Sequence, residues 1–79
     1  MARVKKEYKI ITFATTTAAM AMEAYCEAKG LPGRLIPVPQ EISSGCGVAW
    51  RILAEDFPKL ESSMQDSNII VENIVDITM

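Results

Sequence analysis

Four runs rich in β-branched and aromatic residues, separated by two runs of helix formers, leave this chain few ways to fold. EYKIITFA, residues 7–14, carries Tyr8, Ile10, Ile11 and Phe13 and predicts a first strand. AAMAMEAYCEAK, residues 18–29, is built from helix formers and runs into Gly30, a good residue to end a helix. Thr16 or Thr17 supplies its cap, and Ala18, Ala21 or Met22, Tyr25 and Ala28 or Lys29 recur at helical spacing. In RLIPVP, residues 34–39, Pro37 and Pro39 cannot donate to a ladder, so this strand belongs at an edge or leaves the sheet early. VAWRIL, residues 48–53, alternates Val48, Trp50 and Ile52 against Ala49, Arg51 and Leu53. Residues 54–67 predict a second helix, capped by Glu55 or Asp56, with Pro58 in its first turn and Phe57, Leu60 and Met64 on its apolar face. Residues 68–79 close the chain as a strand region, with Val71, Val75 and Ile77 as its expected core members.

The order β-α-β-β-α-β is that of a ferredoxin-like plait, an α+β fold with two helices on one face of an antiparallel sheet. The first and last strands are expected side by side at its centre, with residues 34–38 on an edge. Seventy-nine residues make one domain, spanning 1–79. A chain of this length buries only about 60–65% of its unfolded surface, which leaves little room for an internal cofactor. None is expected.

Charge and residue usage remove several functions. Eight basic and ten acidic residues give a net charge of −2, so no nucleic-acid partner is expected. The basic cluster of Arg3, Lys5, Lys6 and Lys9 includes Glu7 and reads as a solvated tail. Without histidine, the chain contains neither a Ser-His-Asp nor a Cys-His pair, and it makes a poor zinc site. Two cysteines, Cys26 and Cys46, are too few for a secreted disulfide framework. The first 24 residues imitate a secretory signal, with Ala19-Met20-Ala21 as a cleavage site, but Lys9 and four threonines interrupt the apolar stretch. An intact, cytoplasmic chain is the expectation. No apolar run approaches the ~18–20 residues of a membrane span.

One segment does not serve packing. SSGCG, residues 43–47, holds Cys46 between Gly45 and Gly47, after Ser43 and Ser44. Two readings stand. Cys46 is a loop cysteine without a task and the glycines serve a turn. Or it is a reactive thiol, its thiolate or persulfide held by unshielded backbone N–H groups, with Arg34 and Arg51 adding positive field. Cys26, on or beside the apolar face of the first helix, reads as core filler. Glu41 reads as a solvated loop carboxylate, and Met20, Met22 and Met64 as core and rim. Trp50 is either core or an anchor on the open sheet face.

The run GLPGRLIPVPQEISSGCGVAWR, residues 30–51, resembles the selenium/sulfur carrier protein-like family of small bacterial proteins. Gly30, Pro32, Arg34, Leu35, Pro37, Pro39, Ile42, Ser43, Cys46, Gly47 and Arg51 match its pattern, and the likeness extends over nearly the whole chain. The resemblance implies a carrier rather than an autonomous enzyme, with a persulfide or selenopersulfide on Cys46 and no prosthetic group. It implies a cysteine desulfurase-like donor and an acceptor enzyme as partners. The alternative is a non-catalytic interaction or oligomerisation module, in which Cys46 is incidental or acts as a redox switch.

Overall fold

A computed structural model of the chain describes residues 6–39, 42, 45, 47–65 and 67–78. Its elements are β1 (Glu7–Thr12), α1 (Thr16–Lys29), β2 (Arg34–Pro37), β3 (Val48–Leu53), α2 (Phe57–Met64) and β4 (Asn73–Thr78). The four strands form one sheet in the order β2-β3-β1-β4, and every neighbouring pair is antiparallel. This is the α+β ferredoxin-like plait.

The edge position of β2 agrees with its prolines. The last strand does not lie at the centre. It pairs with β1, as expected, but forms the other edge, and β1 and β3 hold the middle. The reason is the crossover: each strand–helix–strand unit returns parallel to its start and leaves a gap of one strand. Strand β3 fills the gap between β1 and β2, and β1 fills the gap between β3 and β4.

Register assigns the two faces. Ile11 pairs with Trp50, Lys9 with Ile52 and Leu35 with Trp50, so these side chains share a face. On that face Ile11, Phe13, Trp50 and Ile52 pack with Ala19, Met22 and Cys26 of α1 and Leu60 of α2 in one buried cluster. Trp50 is therefore core. Burying Phe13 or Ile11 completely is worth about 2–3 kcal/mol each. Tyr25 fastens the two helices together, its hydroxyl donating to the Ser63 carbonyl at 2.7 Å. The other face carries Tyr8, Ile10, Ala49, Arg51, Ile36, Val75 and Ile77 by the same alternation. Val75 and Ile77 are thus half-buried on the face away from the helices, not in the main core; Val71 does pack against the cluster.

Element boundaries differ from expectation for local reasons. Thr15, extended at φ −134°, caps α1 by accepting the Ala18 N–H at 3.2 Å, so Thr16 and Thr17 are helical. The buried stripe runs Ala19, Met22, Cys26, with Ala18 and Tyr25 half-buried beside it, while Ala21, Ala28 and Lys29 are exposed. Helix α2 is only eight residues long. Ahead of it, Leu53 and Ala54 accept N–H bonds from Asp56 and Phe57 in successive turns. Behind it, the Ser67 N–H and hydroxyl both donate to the Met64 carbonyl at 2.9 Å and close the helix. Asp56 occupies the cap position of α2 without a side-chain cap bond. Ile69 and Val71 pack against the helix-side cluster, so the last strand starts at Asn73 rather than near residue 68.

Candidate functional site

The glycine-flanked segment meets the fold where β1 turns into α1. Residues Phe13 to Thr15 make that turn: Phe13 is wholly buried, Ala14 is exposed, and Thr15 caps the helix. Gly45 lies directly on this turn. A β-carbon placed on it would stand 2.8 Å from the Ala14 carbonyl oxygen and 3.3 Å from the Ala14 Cα, so only a residue without a side chain can approach this closely. Gly47 has the opposite situation. Its φ of +77° lies in the left-handed region, and a β-carbon there would meet nothing within 4 Å. The chain is tied on both sides of the segment: the Val38 N–H donates to the Gly47 carbonyl at 3.1 Å, and the Ile42 N–H to the Pro39 carbonyl at 2.9 Å. Cys46, Ser43, Ser44 and Glu41 lie outside the described residues.

Residues at this end of the sheet also line a shallow cavity of about 370 Å³. Its walls come from Ala14, Thr15, Thr17, Ala18, Ala21, Asn68 and Ile70. Ile70 is 76% exposed, the most exposed large apolar side chain among those described. Sequence reasoning placed Ile70 in a strand and gave Ala14 no role. The alanines that soften the start of α1 were the available signal, because small residues leave a hollow where larger ones would fill it.

Arg34 and Arg51 are brought together, at another place. They are direct cross-strand partners in the β2–β3 ladder. The Arg51 guanidinium lies over the Tyr8 ring, 4.8 Å from its centroid. Arg51 is four residues of extended strand beyond Gly47, roughly 13 Å along β3.

Cys26 behaves as core filler. It is 1% exposed, and its thiol contacts the Met22 sulfur at 3.6 Å. Burial pushes its pKa up to about 11, because the surrounding apolar atoms cannot solvate a thiolate. Its distance from the glycine-flanked segment follows from helix geometry. Ten residues separate Thr16 from Cys26, or about 15 Å at 1.5 Å per residue. Among the described residues, no group of three or more His, Cys, Asp or Glu could hold a metal ion. No described helix is long and apolar enough to cross a membrane.

A family model described as "Putative Se/S carrier protein-like" matches residues 7–76. The chain belongs to this family. The match begins with the first residue of β1 and runs into β4, so the family pattern takes in both helices, all but the last residues of the sheet and the whole glycine-flanked segment. Searches among curated proteins and among solved structures find no match. Membership in the Se/S carrier-like family supports a sulfur- or selenium-carrier theme for this chain.

Proposed function

We propose that this protein carries sulfur or selenium on Cys46, as a persulfide or selenopersulfide, between a donor enzyme of the cysteine desulfurase type and an acceptor enzyme. One observation carries the reading beyond the family name. The residues on either side of Cys46 in the chain are both glycines, one pressed bare against the Ala14 backbone and one in open space with a positive φ. Neither neighbour can screen a sulfur from an approaching protein.

The transfer is a balanced exchange. The Cys46 thiolate attacks the terminal sulfur of the donor's persulfide. A new S–S bond forms at Cys46, the donor's own S–S bond breaks, and the donor cysteine leaves as a thiolate. In the second step a nucleophile of the acceptor attacks the terminal sulfur of Cys46–S–SH, and Cys46 departs as a thiolate. No external oxidant or reductant is needed, and selenium follows the same path. Both steps leave negative charge at or near Cys46. The start of α1 is the positive end of a 14-residue helix, and Gly45 is seated on the turn leading into it. In the absence of histidine, helix and loop N–H groups are the available stabilisers of that charge.

The burial of Cys26 supports a single carrier sulfur. The test is intact-mass analysis after incubation with a cysteine desulfurase and cysteine, and of protein isolated from its native cell without reductant. The expected result is one added sulfur or selenium atom, lost on reduction, present in Cys26→Ser and missing in Cys46→Ser. Added sulfur on Cys26, or none on either, would overturn the proposal.

A further inference from the structure

We infer that Arg34 and Arg51 form a binding site for a tetrahedral oxyanion, a phosphate-type group, on the sheet face opposite the helices. The observation is a like-charge pair where a sheet ordinarily avoids one. The two arginines are direct partners across β2 and β3, and residues so placed have β-carbons about 4.5–5.5 Å apart. Like charges facing each other at this spacing repel, and opposite charges are the usual choice there.

The surroundings suit an anion rather than mere tolerance of repulsion. Both arginines line one cavity of about 250 Å³, together with Tyr8, Pro32, Gly33, Leu53 and Asp56. Arg51 is half-buried and held in the chain, with its guanidinium over the Tyr8 ring. Stacking uses the π face of a guanidinium and leaves its in-plane N–H chemistry compatible with an oxyanion. Arg34 is exposed on the edge strand and supplies the solvent-facing half of the clamp. A half-buried guanidinium and an exposed one, both lining one hollow, can give two forked contacts to a group with three or four oxygens. Asp56 is the opposing charge. Among the described lining residues its one negative charge stands against the two positive charges of the arginines. Nothing in this assignment rests on Cys46.

The experiment is an NMR titration of the full chain with sodium phosphate at constant ionic strength, sodium chloride serving as the reference. Amide signals of Tyr8, Arg34 and Arg51 are expected to shift and saturate with phosphate and not with chloride. Arg34→Gln and Arg51→Gln should each weaken binding about tenfold or more, the loss of one charge-assisted pair. Asp56→Asn should tighten it a few-fold, and costs the α2 cap no hydrogen bond. Arg34→Lys, on an exposed edge that does not endanger folding, should recover only part of the affinity because an ammonium lacks the fork. A phosphomonoester such as glycerol phosphate distinguishes the source: tighter binding than inorganic phosphate assigns the site to a phosphorylated ligand, equal or weaker binding to the free ion. The assignment is overturned if phosphate shifts match those of chloride, or if saturable binding survives both glutamine substitutions unchanged.

Discussion

Helix α1 and the loop ahead of β3 each hold one of the two cysteines, and they are made of opposite materials. Around Cys26 the helix supplies bulk: Met22 one turn away, Tyr25 beside it, and Trp50 and Ile52 from the sheet in the same cluster. Around Cys46 the chain supplies glycine. Gly45 gives up its side chain to lie on the Ala14 backbone, and Gly47 takes a backbone conformation that other residues resist. The contrast teaches what a thiol needs in order to be inert. Cys26 is kept neutral by apolar neighbours that any hydrophobic residue could provide, whereas the flanks of Cys46 provide none.

The largest expected effect is in thiol labelling of the native protein. At neutral pH a thiol with a pKa of about 11 is ionised at least about 100-fold less than an ordinary thiol near 8.5, and Cys26 is also shielded from the reagent. Cys46 should therefore be alkylated at least about 100-fold faster than Cys26. Equal rates in peptide-mapped samples would erase the contrast.

Alkaline pH sharpens the same comparison. The Cys26 pKa is raised from 9.0 in the unfolded reference to about 11 in the fold, so the native state holds its proton longer. Its contribution to stability is complete below about pH 9 and is lost as pH rises toward 11. Two pH units correspond to about 2–3 kcal/mol. Denaturant melts from pH 8 to 11 should show a steeper decline for the wild type than for Cys26→Ala. Parallel curves would mean that the thiol is not held in an apolar site.

Gly45→Ala should destabilise by about 1–3 kcal/mol, since the new methyl group overlaps the Ala14 carbonyl and forces the loop off the turn. It should also alter Cys46 reactivity. A neutral outcome in both melting and labelling would separate the loop from the start of α1.

The smallest effect concerns Arg51. Because it lies over Tyr8, four residues along β3 from Gly47, Arg51→Ala should move the Cys46 pKa by well under about one unit. Gly47→Val should change Cys46 alkylation more, by straining a position with φ +77° and crowding the approach to sulfur. If alkylation versus pH shows Arg51→Ala abolishing reactivity and Gly47→Val sparing it, backbone activation is wrong.

Periodicity made the elements readable, and it did so best where burial is one-sided. Strand β3 occupies residues 48–53 as expected because Val48, Trp50 and Ile52 alternate cleanly with less apolar neighbours. The prolines placed β2 on an edge. The last strand was misread because Ile69, Val71, Val75 and Ile77 look alike in sequence but serve two surfaces: the first two pack on the helix-side cluster, the last two face the other way. Which strands sit at the centre depends on crossover geometry, which no residue encodes locally. In the candidate site, the glycines around Cys46 were legible and their reasons were not. Contact between Gly45 and Ala14 joins positions 31 residues apart, and the pairing of Arg34 with Arg51 is a matter of register.

The ladder between β1 and β4 sets Glu7 opposite Thr78, and Thr12 opposite Asn73. The chain thus enters and leaves the sheet at one pole, while Ala14 and Gly45 occupy the other, about 17 Å away along β1. A tether, tag or fused enzyme attached at Glu7 or Thr78 starts from the pole opposite Ala14 and Gly45. Immobilised through the Glu7–Thr78 pole on a solid support, the protein would present Ala14 and Gly45 on the side away from the support. Linking Glu7 to its ladder partner Thr78 with a few residues and cutting the chain elsewhere would yield a permuted form whose new join lies at the pole away from Ala14 and Gly45.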